Sequence, residues 1–96
     1  MKRTLVVLTG WARDHHSYKK LIQSAPNDWQ ILVPSYNKLG LHKGIDTFGK
    51  NLSSFVKAQN SPVSILGHSL GGALAIHFVA SYPGKIEKLL DRKSVV

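Results

Sequence analysis

Val63-Ser64-Ile65-Leu66-Gly67-His68-Ser69-Leu70-Gly71-Gly72-Ala73-Leu74-Ala75 decides how this chain is read. Val63 to Leu66 is a short apolar run, the mark of a buried strand. Leu70 to Ser81 reads as a helix, apolar on nearly every side and ended near Pro83-Gly84. Between the two lies a G-x-S-x-G pattern, Gly67 to Gly71, in the strand-to-helix context that gives the pattern its meaning. A serine nucleophile must stand proud of its sheet, so the chain turns sharply and the serine takes a strained backbone. Gly67 and Gly71, two positions either side of Ser69, keep such a turn free of clashes. The helix that follows aims free backbone N–H groups at the same point, and the N–H of Leu70 is placed to hold an oxyanion. Ser69 is therefore the candidate nucleophile.

Working outward, strand-like and helix-like segments alternate. Thr4 to Leu8 is an apolar, β-branched run closed by Gly10. His15 to Ser24 reads as a helix with Tyr18, Leu21 and Ile22 on one face, stopped before Pro26. Trp29 to Val33 is a second strand, ended by Pro34, and Ser35 to Ile45 a loop. Asp46 is the expected N-cap of a helix from Thr47 to about Ala58, with Phe48, Leu52, Phe55 and Val56 at helical spacing. Asn60-Ser61-Pro62 is a turn. Ile86 to Leu90 opens a fourth strand. Such alternation, with strands apolar throughout, predicts right-handed βαβ units around a parallel sheet covered on both faces. The expected fold is a three-layer α/β/α sandwich of about four strands, with the Leu70–Ser81 helix as its most buried helix.

The Val63–Ala75 stretch resembles the nucleophile elbow of the α/β-hydrolase family. The resemblance extends in the family's order over about residues 4 to 90. Leu5-Val6-Val7-Leu8-Thr9-Gly10-Trp11 resembles its first conserved strand and oxyanion loop. Trp29-Gln30-Ile31-Leu32-Val33-Pro34 resembles the next strand, and Tyr82 to Leu90 the turn and strand after the nucleophile helix. The resemblance implies a serine hydrolase of carboxylesterase type, with Ser69 as nucleophile, Trp11 and Leu70 as the two oxyanion N–H donors, a small acyl substrate, and no metal or organic cofactor. Thr9 stands where the family usually has a histidine that supports the loop.

A serine hydroxyl needs a histidine to take its proton and a carboxylate to orient that histidine. In this family both follow the serine. After Ser69 the chain offers only His77, on the same expected helix and ~12 Å further along it at ~1.5 Å per residue. That is beyond hydrogen-bond reach. His68 should point away across the turn. His15 and His16 fit a helix start, or the mouth of a pocket. His42 lies in a loop. Asp14 and Asp46 precede the serine. The general base and acid are thus expected outside this chain, which alone is expected to be inactive.

Ninety-six residues make one domain at most, and 43% hydrophobic with 19% charged residues fits a globular chain. The absence of cysteine excludes a disulfide scaffold, a thiol nucleophile and a zinc ribbon. No apolar run approaches the ~18 residues of a membrane span. Met1-Lys2-Arg3 before Leu5–Leu8 is too short for a signal peptide, so a cytoplasmic protein is expected. The net charge of +8 comes from scattered lysines without interleaved aromatics, which speaks against a nucleic-acid partner.

Asp91-Arg92-Lys93-Ser94-Val95-Val96 breaks the last apolar run. The hexapeptide and a stop are what GAT CGG AAG AGC GTC GTG TAG encodes, the text of a common short-read sequencing adapter. Residues 1–90 are accordingly expected to be the N-terminal part of a hydrolase domain, and residues 91–96 a non-native tail. The same elbow serves acyltransferases and cofactor-free peroxidases, and a non-catalytic small-molecule-binding relative is a further alternative.

Overall fold

The computed structural model describes residues 3–10, 19–84 and 86–92. Four strands and three helices alternate along it: β1 (Arg3–Leu8), α1 (Lys19–Ser24), β2 (Trp29–Leu32), α2 (Ile45–Lys57), β3 (Val63–His68), α3 (Leu70–Ser81) and β4 (Lys88–Arg92). The strands form one sheet in the order β2-β1-β3-β4. Every pairing is parallel, with Val6 opposite Leu32 in β2 and Ile65 in β3, and Leu66 opposite Leu90. The parallel α/β sheet is the fold that the alternation predicted.

The apolar runs place the core. Val6, Val7 and Leu8 of β1 are wholly buried, as is Ile65 of β3. Side chains alternate across a strand, so Val6 and Leu8 share one face with Val63 and Ile65. There they pack with Phe48, Leu52 and Val56 of α2 and Leu74, Ala75 and Phe78 of α3. Both helices thus cover one face. The right-handed crossover rule expects α1 on the other. Phe78 and Tyr82 stack at 5.1 Å between ring centroids, closing the end of α3.

Several boundaries differ from the sequence reading. The helix α2 begins at Ile45, and its N-cap is Gly44 at φ 116°, not Asp46. Glycine makes that turn without a Cβ penalty, so the helix starts earlier and exposed Asp46 falls in its first turn. A negative charge there still complements the helix dipole. The 35–45 loop contains a 3-10 turn, Leu41–Lys43. The strand β3 runs two residues past Leu66, to His68. The fourth strand lies later than expected: Ile86 packs against the core ahead of it, and pairing runs from Lys88 to Arg92.

Two apolar side chains are more exposed than their pattern suggested. Ile22 of α1 is 39% exposed. Ile76 of α3 is 49% exposed, although that helix was expected to be buried all round. The buried face of α3 is set by Gly71, Leu74, Ala75 and Phe78, whose three- and four-residue spacing leaves Ile76 on the opposite side. Asp14, His15, His16 and Tyr18 lie outside the described residues.

Candidate active site

The winding of the sheet marks a place before any side chain does. From β1 the chain passes to β2, then doubles back over β1 to β3 and on to β4. The order therefore reverses between β1 and β3. In open parallel sheets, ligands bind outside the carboxyl ends of the strands at such a reversal. The residues just past those ends are Thr9-Gly10 and Ser69.

Ser69 is the one non-glycine residue with a positive φ among the described residues, at φ 60° and ψ −119°. It is exposed, between half-buried His68 and half-buried Leu70. A serine at a helix N-terminus usually caps it with its side chain. Ser69 occupies that position in α3 but makes no side-chain cap hydrogen bond. Its carbonyl starts the helix instead, accepting from the N–H of Gly72 at 2.9 Å and more weakly from that of Ala73 at 3.4 Å. The N–H groups of Leu70 and Gly71 precede these bonds, in the first turn, where a helix gives its N–H groups no partner of its own.

Close backbone approach explains the glycines. A Cβ on Gly67 would lie 2.5 Å from the carbonyl oxygen of Gly71, and one on Gly71 only 1.8 Å from that of Leu8. One on Gly10 would meet the Ser69 Cβ at 3.2 Å and the His68 carbonyl at 3.4 Å. The end of β1 and the turn into α3 are therefore in van der Waals contact, backbone on backbone.

The structure thus brings together Gly67, Ser69, Leu70 and Gly71 with Thr9 and Gly10. Trp11, the other expected donor, lies outside the described residues. Thr9 is buried, and its carbonyl accepts a hydrogen bond from the Tyr36 hydroxyl. Tyr36 carried no signal in the sequence, because a bond spanning 27 residues leaves no local pattern. The buried Nδ1 of His68 has no hydrogen-bond partner among the described residues.

His77 does not join this group. It is exposed on α3 and borders a cleft with Ile45, Asp46 and Tyr82. Among the described residues no cluster of three or more His, Cys, Asp or Glu side chains could hold a metal ion. No helix there is long and apolar enough to cross a membrane. A groove of about 530 Å³ between β2 and α2, with Leu32, Pro34 and Phe55 in its wall, includes neither Gly10 nor Ser69.

The chain matches no family model. It is 33% identical to a probable serine hydrolase of Drosophila melanogaster, over 94% of this chain and 30% of that protein. It is 29% identical to a serine hydrolase-like protein of Danio rerio, over 92% of this chain and 30% of that one. It is 26% identical to a pimeloyl-[acyl-carrier protein] methyl ester esterase of Neisseria meningitidis, over 91% of this chain and 35% of that one. The chain spans about a third of the length of these curated relatives. Relatives of these names match along more than 90% of its residues, and its parallel α/β sheet is the one that the resemblance to the α/β-hydrolase family implied.

Proposed function

We propose that these residues are the nucleophile-bearing part of a serine hydrolase that cleaves ester, thioester or similar acyl bonds through an acyl-enzyme on Ser69. The observation that carries the reading is the conformation of Ser69. An exposed serine is held at φ 60° beyond the end of β3, its side chain not used as a helix cap. Strain of this kind costs about 1–3 kcal/mol and persists where function needs the geometry.

In the proposed reaction a histidine takes the Ser69 proton as Oγ attacks the acyl carbonyl carbon. The carbonyl oxygen becomes an oxyanion, held by the N–H of Leu70 and that of Trp11. The tetrahedral intermediate collapses, its C–O or C–S bond breaks, and the histidine protonates the departing alcohol or thiol. Water then attacks the acyl-enzyme with the same histidine as base, releasing the acid and restoring Ser69. No step calls for a metal or organic cofactor. His77 borders the α2–α3 cleft and not this group, and in this proposal the histidine and its carboxylate come from sequence outside these 96 residues. The protein is read as cytoplasmic, with a small acyl ester as its partner. The 96-residue chain alone is then close to inactive.

The test compares p-nitrophenyl acetate hydrolysis by three proteins. They are the product of the complete reading frame that carries residues 1–90 in the source genome, its Ser69→Ala variant, and the 96-residue chain. The reading expects turnover only in the first. Undiminished turnover after Ser69→Ala would overturn it. The methyl ester esterase among the relatives makes a methyl ester the second substrate to try.

A further inference from the structure

We infer that Tyr36 is a positioning residue for the oxyanion loop, acting through the carbonyl of Thr9; the inference rests on the function proposed for Ser69. The β1–β3 ladder ends at Leu8 opposite Gly67. Thr9 and Gly10 lie beyond it, and strand pairing no longer fixes their peptide planes. These two residues nonetheless face the turn at Ser69. Gly10 stands against Ser69 and His68, and a Cβ on Gly71 would reach within 2.8 Å of the Thr9 carbonyl oxygen.

The tether at this point is the Tyr36 hydroxyl, which donates to that oxygen. A peptide unit is planar. Fixing the Thr9 carbonyl therefore fixes the plane of the Thr9–Gly10 peptide, and with it the Gly10 N–H and the Gly10 Cα that stands against Ser69.

Tyr36 is itself well held. Its ring packs edge-on against Phe48 at 5.9 Å and 69°. Phe48 is 1% exposed in the core. The Tyr36 carbonyl accepts the Leu41 N–H at 3.0 Å, tying the residue to the 3-10 turn. The hydroxyl thus reaches the end of β1 from a frame anchored in α2, and the role inferred for it is exerted through the Thr9 carbonyl.

Tyr36→Phe removes the tether and keeps the ring against Phe48. In the complete gene product, with an ester substrate, kcat is expected to fall about 10- to 100-fold, less than or equal to the loss of one whole oxyanion donor. KM should stay within about threefold. The inhibition constant of an aryl trifluoromethyl ketone, which forms the tetrahedral adduct, should rise by the same factor that kcat/KM falls. Tyr36→Leu, which also loses the ring, should add a stability defect without a much larger effect on that ratio. An unchanged kcat in Tyr36→Phe overturns the inference, as does a fall in kcat that leaves ketone binding untouched. Ser69→Ala runs alongside. If it retains turnover, the reading of Ser69 fails; if it is inactive while Tyr36→Phe is normal, only the role of Tyr36 fails.

Discussion

Gly71→Ala is the substitution on which the architecture is most exposed to test. The new Cβ would sit 1.8 Å from the Leu8 carbonyl oxygen, 2.4 Å from its carbon and 2.8 Å from the Thr9 oxygen. Ordinary contacts begin near 3.5 Å, so the start of α3 and the end of β1 must part by about 1.7 Å. The obstacle is backbone, not a side chain that can swing aside. The strand carrying it is pinned by wholly buried Val6, Val7 and Leu8. Overpacking typically costs ~1–3 kcal/mol, and an immovable neighbour puts this case at or above the upper end, about 3 kcal/mol. In the complete gene product, at ~2–4 °C per kcal/mol, that lowers Tm by roughly 6–12 °C. Gly44→Ala is the matched control. Its φ of 116° and ψ of 163° lie where glycine is almost alone, but a Cβ there meets nothing within 4 Å, so backbone strain of about 1–3 kcal/mol applies without a clash. Urea denaturation of both variants beside the parent gives the two numbers. A Gly71→Ala protein within 1 kcal/mol of the parent would refute the close approach of α3 to β1.

Three further substitutions probe the same account. Ser69→Gly should be more stable than Ser69→Ala by about 0.5–2 kcal/mol, because glycine relieves the positive φ while its extra unfolded-state entropy offsets part of the gain; equal denaturation midpoints would count against strain at Ser69. His77→Gln should leave ester turnover in the complete gene product within twofold, since the side chain is exposed and borders the α2–α3 cleft; a loss of a hundredfold or more would return His77 to the candidates for the base. Asn51→Ala should cost about 1 kcal/mol in urea denaturation, through loss of the 2.8 Å bond from Asn51 Nδ2 to the Leu39 carbonyl; a value near zero would mean that the bond does not hold the 35–44 loop onto α2.

Much of this molecule is legible in its sequence where signals are local. The helix α3 has its expected bounds because Gly67 to Gly71 opens it and Pro83-Gly84 closes it, both within a few residues of the ends. The strand β1 reads out for the same reason, a β-branched run ended by glycine. The start of α2 does not. Asp46 and Gly44 are both acceptable caps, and only the path of the preceding 3-10 turn selects the glycine. The exposed side of α3 is equally unreadable, because a helix apolar all round does not say which stripe its sheet will cover. Within the candidate site, Ser69 and its glycines announce themselves by spacing. Tyr36 does not, since its bond to Thr9 depends on where the β2–α2 loop crosses the end of β1.

Labelling with a fluorophosphonate probe, read by peptide mass spectrometry, tests the central claim most directly. It would be applied to the complete gene product and, in parallel, to the 96-residue chain. The account predicts one phosphonylated residue, Ser69, formed rapidly in the complete protein and very slowly in the shorter chain, where the proposal assigns no base. Rapid modification of a different serine in the complete protein, or none at all, would contradict it.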